Sequence, residues 1–546
     1  MARKMQARWK INGTLTAETP IHVGGMGGDA DTDLALAING GGNYYIPGTS
    51  LAGALRGWMS KPFSADDSQG STNNLKSPDH PINQLWGFQE KDKGHASFII
   101  VDDAEIKLRK GQSIEIREGV GIDRHTGAAA ERFKYSRAIL PKGVSFPLHI
   151  TLDCQKNEDP TNVWQLLQAL EMGDIRIGAA KTRGLGRVKL EQIVVHQQNL
   201  SNADGLFDTL LNDGTGRPWK ELKPKNYQSP AQLTFELAWS PRDPVMVKAE
   251  GDGIAIDMLP LVSQVDSGVR FVIPGSSIKG VLRAHAERIL RTVLDIDITP
   301  DKDNTPKFND QLQLVKGKKR IPLTDVIFGA AEKSKTKNSE GQMGVLSIDD
   351  CYAKLSMTLE NWSAVENAKK EDTEEFKGFK QALKKALGGN QEPFHTLQPA
   401  MHVAIDRWTG GAADGMLYSV LEPIGVDWDA IGIRLDIAQL KKIEAIKKKE
   451  DSQSPSVLKP AIALLLLVLR DFANRKIPIG YGTNRGMGTV EVTAMTLDGA
   501  QLDDLEGLSG EQSITPDLSS LGEPLLDELT EAWQDWIAYL TELEAA

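Results

Sequence analysis

The sequence predicts an α+β domain present twice in tandem, and three observations carry that expectation. Six landmarks recur in the same order along the 546 residues, strand-like and helix-like periodicities alternate between them, and the residues separating the two copies are rich in Asn, Asp, Gly and Pro. Length alone calls for two to four domains, and the composition, 40% hydrophobic and 25% charged, is that of a globular protein.

Taken in order, the first landmark is Pro20-Ile21-His22-Val23, answered by Pro244-Val245-Met246-Val247. IPGTSLAGALR from Ile46 is answered by IPGSSIKGVLR from Ile273. Trp86-Gly87-Phe88 followed by FIIVDDA is answered by Phe328-Gly329-Ala330 followed by LSIDDC. GIDRHTGAAA at Gly121 matches AIDRWTGGAA at Ala404, and Leu140-Pro141-Lys142-Gly143 matches Glu422-Pro423-Ile424-Gly425. Last, IGAAKTRGLGRV at Ile177 matches IGYGTNRGMGTV at Ile479. The second copy is longer, chiefly through polar and lysine-rich residues 295–319 and 361–391, where loops tolerate insertion. The boundaries read from this pattern are a first copy at 1–199, a linker at 200–229, a second copy at 230–496 and an acidic tail at 497–546.

Within the first copy, Trp9 to Ala17 alternates as a strand and Ser50 to Met59 reads as a helix. Ala96 to Val101 and Val144 to Leu152 read as strands, Asn162 to Met172 as an amphipathic helix, and Gly186 to Val195 as a closing strand. Helices threaded between antiparallel strands in this order predict a ferredoxin-like sandwich. The apolar run from Pro460 to Leu469 is about half a bilayer crossing, so it reads as a buried helix. The tail predicts one more helix, Pro524 to Leu543, which either docks a neighbouring subunit through Trp533 and Trp536 or simply keeps a complex soluble.

Charge first argues against a nucleic-acid partner, because the net value is −11. From Leu497 onward, however, there are thirteen acidic residues and no Lys or Arg, so residues 1–496 carry a net charge of +2. A near-neutral body with local basic patches can hold a phosphate backbone. Cys154 and Cys351 offer no metal-ligand spacing and no disulfide framework, which fits a reducing, cytoplasmic setting. The start of the chain reads as a strand rather than a signal peptide, and no membrane partner is expected.

Four features carry candidate chemistry. The IPGTS and IPGSS segments pair a Pro-Gly turn with Ser or Thr at a helix start, a place where phosphate docks. KTRGLGR, with Lys181 and Arg183, and TNRGMG, with Arg485, set a guanidinium among glycines as an anion cradle. Asp123-Arg124 and Asp406-Arg407 lie ahead of a Thr-Gly turn, where an internal salt bridge would shape a long hairpin; Trp408 could stack on a base. The acidic loops are the only credible chemical centre. Asp33 and Asp257 each stand where a loop enters a strand, with Asp29, Asp31 and Asp252 as rivals. A carboxylate there can hold a hard divalent cation or orient a 2′-hydroxyl against a phosphate. His22 faces Met246 in the other copy, which argues against a shared histidine mechanism.

These motifs together resemble the RAMP superfamily, specifically the backbone subunits of type III CRISPR effector complexes. The fused arrangement is similar to type III-D variants with two or more backbone units in one chain. The resemblance implies an RRM-like palm and a thumb hairpin that kinks a guide RNA (crRNA), with subunits stacked along that guide. It also implies metal-dependent cleavage of target RNA, with Mg2+ or Mn2+, leaving a cyclic phosphate and a 5′-hydroxyl. By motif position the catalytic and metal-holding residues would be Asp33 and Asp257. Guide contacts would fall on Ser277, Lys279 and Arg283, on Ser50 and Arg56 in the first copy, and on Lys181, Arg183 and Arg485. Ala52 departs from the pattern where the second copy has Lys279. Expected partners are guide RNA, target RNA and other subunits of the complex. The competing readings are an inert guide-binding scaffold and a guide-precursor processing endoribonuclease.

Overall fold

Alternating apolar residues from the chain's start give strand β1 (Ala7–Ala17), whose Trp9, Ile11, Leu15 and Ala17 are buried. The computed structural model describes residues 5–25, 32–65, 80–90, 93–297, 308–312, 314–316, 319–331, 341–369, 376–389, 392–450, 455–499, 502, 505 and 507–545. It contains two compact units: residues 1–116, 137–181 and 185–230 form the first, and residues 117–136, 182–184 and 231–546 the second. Each mixes helix and strand.

In the first unit, β1 is followed by α1 (Gly48–Ala65) and β2 (Ile99–Val101). A hairpin of β3 (Glu115–Ile122) and β4 (Ala129–Ile139) follows, then β5 (Ser145–Cys154), α2 (Thr161–Met172) and β6 (Val188–Asn199). The distal part of the hairpin, residues 117–136, clusters with the second unit. The sheet runs β6-β1-β5-β2, every neighbour antiparallel. Helix α2 buries Val163, Trp164, Leu166, Leu167 and Leu170 at helical spacing and stops at Gly173, whose φ of 76° is the left-handed geometry that favours glycine. Trp164 meets Trp9 edge-on at 5.1 Å, tying helix to sheet.

The residues expected to be a linker are folded into this unit. Helix α3 (Ala203–Asn212) follows β6, and β7 (Thr215–Arg217) extends the sheet beside it. Leu222 is buried in the same core, and Trp219 and Tyr227 pack against it. The Tyr227 hydroxyl and Ser229 both donate to Asp174, at 2.5 and 2.8 Å. Polar composition concealed these anchors.

The second unit repeats the plan with β8 (Gln232–Pro241), α4 (Gly275–Leu294) and β9 (Leu346–Ile348). A second hairpin of β10 (Leu397–Ile405) and β11 (Ala412–Pro423) precedes β12 (Ile431–Asp436), α5 (Leu458–Ala473) and β13 (Val490–Gly499). Its sheet runs β9-β12-β8-β13, again antiparallel. The apolar run read as a buried helix is the core of α5, with Leu464, Leu465, Val468 and Leu469 all buried.

The acidic tail belongs to this unit. Strand β14 (Gly510–Ile514) pairs with β13, and helix α6 (Glu523–Ala545) follows. Trp536 is buried and Trp533 packs against the unit's own core, so the expectation that these rings reach out to a neighbour is corrected. Among the described residues no helix is long and apolar enough to cross a membrane.

Candidate nucleic-acid interface

The two aspartate loops are closed by matching backbone rungs. Gly24 bridges Leu36 in the first unit, and Lys248 bridges Pro260 in the second. At the loop exits, Leu34 bridges Arg137 and Met258 bridges Val420, both in parallel. The next amide along each hairpin strand then donates to the loop: Ala138 to the Leu34 carbonyl at 3.0 Å, Leu421 to the Met258 carbonyl at 2.9 Å. The residue before each exit is Asp33 in one unit and Asp257 in the other, so these two are structural equivalents. Asp252 is not. It lies exposed within its loop, 3.1 Å from the Lys248 ammonium. Asp29 and Asp31 fall outside the described residues.

Sequence reasoning missed the residue that holds Asp257. Ser419, fully buried, donates to the Asp257 carboxylate from its amide at 2.6 Å and its hydroxyl at 2.7 Å. Its hydroxyl oxygen in turn accepts from the Asp257 amide at 3.0 Å. The signal was present as a repeated dipeptide, Tyr135-Ser136 and Tyr418-Ser419, at one fixed distance from the IDR motif of each copy. The tyrosines have their own repeated partner. Arg183 donates to the Tyr135 hydroxyl at 3.2 Å, within the second unit, and Arg485 donates to the Tyr418 hydroxyl. Arg485 also lies over the rings of Tyr481 and Tyr418, at 5.4 and 5.8 Å. In the second unit, then, consecutive hairpin residues grip a carboxylate and an exposed guanidinium.

The helix starts are built differently from the expectation. No Ser or Thr side chain caps α4, whose N-cap is Pro274. The Gly275 amide donates instead to the Asp350 carboxylate at 2.8 Å, and the Gly48 amide to Asp103 at 2.7 Å. This accounts for the repeated Asp-Asp after each second strand. Glycine is needed because any side chain would clash with the Val101 or Ile348 carbonyl oxygen. One amide at each start is therefore already satisfied by the protein's own carboxylate, while Ser50 and Ser277 sit half-buried in the first turn.

Three of the expected phosphate contacts are turned inward. Lys279 is buried, its ammonium donating to the Leu346 carbonyl at 2.7 Å, and burial first, then the charges of Arg183 and Arg283, push its pKa down to about 7. Arg283 bonds Glu287 at 2.7 Å and the Gly329 carbonyl at 2.9 Å. Arg56 donates to Asn83 at 2.9 Å. These side chains hold their helices to neighbouring segments, which corrects the reading of the IPG helix as a simple outward phosphate grip. Of the remaining cations, Arg183 and Arg485 are exposed and Lys181 is half-buried.

Each hairpin ends in the same turn. The Asp123 carboxylate accepts from the amides of His125 and Thr126 at 2.9 and 2.8 Å, and Asp406 from those of Trp408 and Thr409 at 2.7 and 3.1 Å. Backbone donation, from Thr126 in one and Thr409 in the other, holds both carboxyls below their ordinary range. The expected Asp–Arg bridge does not form, because the carboxylates serve the turn. Arg124 reaches Glu287 at 2.7 Å, and Trp408 is 95% exposed. His22 is buried, with Nδ1 2.7 Å from the Ala138 carbonyl, and desolvation lowers its pKa. Met246 takes its place in the second unit.

Among the described residues no three His, Cys, Asp or Glu side chains converge as a metal cluster. Asp33 and Asp257 fit a hard cation only in the sparse mode of Mg2+, with one carboxylate and with phosphate and water completing the shell.

The sequence pattern of the RAMP superfamily matches residues 14–189 and again 260–491. The chain is also similar to the protein named CRISPR system Cms endoribonuclease Csm3 of Methanocaldococcus jannaschii, 23% identical over 197 residues, which are 34% of this chain and 78% of that protein. Matched over most of its length and in both of its repeated halves, the chain belongs to the RAMP superfamily.

Proposed function

We propose that this chain is a backbone subunit of a type III CRISPR ribonucleoprotein, binding guide RNA and cleaving complementary target RNA at two sites. The observation that carries the reading is the equivalence of Asp33 and Asp257, each just before the exit of a loop bridged to the base of a hairpin, Leu34 to Arg137 and Met258 to Val420. The strand order of both sheets, with a helix in each crossover, supports ferredoxin-like palms, and the two hairpins support the thumb assignment. The relative named an endoribonuclease supports the activity. Other subunits of such a complex are the expected protein partners, and the cytoplasm the expected location.

In this reading Arg485, held by Tyr418, draws the scissile phosphate in beside Asp257. Asp33 and Asp257 orient the 2′-hydroxyl of a kinked nucleotide in line with its own phosphorus. The 2′-hydroxyl gives its proton to water as its oxygen forms the new bond to phosphorus, and the 5′-oxygen, released as its bond to phosphorus breaks, takes a proton from water, giving a cyclic phosphate and a 5′-hydroxyl. Bound Mg2+, held by the same aspartate, would supply Lewis-acid stabilisation of the phosphoryl charge. Ser419 keeps the Asp257 carboxylate in one orientation.

The scaffold reading draws on the same serine, since bonds from Ser419 already give Asp257 a structural task. The processing reading loses support from the buried, unrepeated His22. Incubating the guide-loaded assembly with end-labelled complementary RNA separates these readings. Two Mg2+-dependent cuts abolished by EDTA are expected. Intact target RNA would leave the scaffold, and cleavage confined to guide precursor would leave the processor.

A further inference from the structure

Helix α3 (Ala203–Asn212) is packed inside out. Its sequence is amphipathic, and such a helix ordinarily buries its apolar stripe. Here none of its residues is buried, and the large apolar side chains all face solvent: Leu206 is 46% exposed, Phe207 64%, Leu210 81% and Leu211 78%. The face turned to the protein is small and polar instead, made by Gly205, Asp208 and Thr209. Gly205 lies so close to the Asn199 carbonyl that a side chain there would clash.

Polar bonds hold this inverted seat. The Asn202 side chain caps the helix through the Gly205 amide at 2.8 Å, and the Asp208 carboxylate accepts from the Thr215 hydroxyl of β7 at 3.0 Å. At the other end Asp213 takes Lys10 at 2.6 Å and Gln198 at 2.8 Å. The anchoring needs none of the four apolar side chains, so burial within this unit does not explain them.

We infer that α3 is a docking helix whose Leu206, Phe207, Leu210 and Leu211 enter an apolar groove on a different polypeptide, one rimmed by Lys and Arg. Charge selects the occupant. Lys10 neutralises Asp213, which leaves Asp204, exposed in the first turn, and Asp208 as the charges that residues 200–214 present, with no Lys or Arg among them. An acidic, apolar helix repels a phosphate backbone and an anionic bilayer surface alike, and a second copy would set these same aspartates against each other. A groove with a basic rim satisfies both the stripe and its flanks, in the manner of other helix-in-groove contacts.

The test uses the full chain, tagged and purified with its native assembly, carrying a benzoylphenylalanine photoprobe in place of Leu210. After nuclease treatment and irradiation, the expected product joins the probe to another polypeptide at a peptide with apolar residues flanked by Lys or Arg. Leu211→Asp should cut the yield about tenfold or more, as loss of a buried anchor does, and Asp204→Lys about threefold. All four apolar residues are exposed, so the melting temperature of the isolated chain should stay at the wild-type value. Leu211→Ala serves as the milder variant should Leu211→Asp misfold. A crosslink to RNA, lipid, a second copy or a peptide without basic residues, or no crosslink, overturns the inference.

Discussion

The helix starts at Gly48 and Gly275 are the same device in two settings. In both, a strand-end aspartate accepts the first helical amide, Asp103 at 2.7 Å and Asp350 at 2.8 Å. Asp103 is exposed. Asp350 is buried, and its second oxygen accepts from Arg117, which also donates to Ser263 at 2.9 Å. Four residues into each helix, Ala52 stands where the second unit buries Lys279. Duplication thus preserved backbone geometry, while the surroundings of each copy reset the energetics of the same position.

The comparison is sharpest in stability. Asp350→Ala strands the Arg117 guanidinium in a dry site, which should cost about 3–5 kcal/mol of unfolding free energy. Asp103→Ala removes only an exposed acceptor and should cost about 1 kcal/mol. Urea titrations of the two variants measure both, and equal losses would break the distinction.

Next in size is a pH effect confined to the second unit. With its folded pKa near 7 and an ordinary value of 10.5, Lys279 binds fewer protons folded than unfolded across that interval. Stability should therefore rise with pH between about 7 and 9, at up to about 1.4 kcal/mol per pH unit, before the thiols of Cys154 and Cys351, which burial pushes up to about 11 and about 12, begin to oppose it. Lys279→Met should flatten this rise, and a slope unchanged by the substitution would place the lysine in water. At the matching position of the first unit, Ala52 has no group to titrate.

The smallest effect lies at the hairpin tips, where the copies agree. Asp406→Ala should speed hydrogen exchange at the Trp408 and Thr409 amides without shifting the melting temperature. Asp123→Ala should do the same at His125 and Thr126 and also release Gln311, which donates to its other oxygen at 2.7 Å. Unaltered exchange at either tip would deny the aspartate its part in the turn.

Local pattern told most of the strand and helix story. Trp9 to Ala17 alternates because one face of β1 is buried, and Asn162 to Met172 is periodic because α2 lies on that sheet. What sequence could not supply was environment. Lys279 reads as a surface cation until the Leu346 carbonyl, 67 positions along the chain, is brought against it. The linker reads as loop because Trp219, Leu222 and Tyr227 are spread thinly among polar residues. The distal hairpin 117–136 clusters with the second unit through contacts such as Arg124 with Glu287, which no local period encodes. Ser419 was legible in principle, since it repeats, but a buried serine in a strand carries no motif of its own. The Asp33–Asp257 equivalence was legible too, since each stands 13 positions after the first proline of its opening landmark, Pro20 or Pro244, and the bridges at Leu34 and Met258 agree with it.

The most direct measurement maps target-RNA products from guide-loaded assemblies carrying Asp33→Ala, Asp257→Ala or both. Two equivalent, independent centres predict that each single change erases one cut, that the double change erases both, and that target affinity stays at the wild-type level. Both cuts persisting in the double variant, or both vanishing with either single change, would contradict the account.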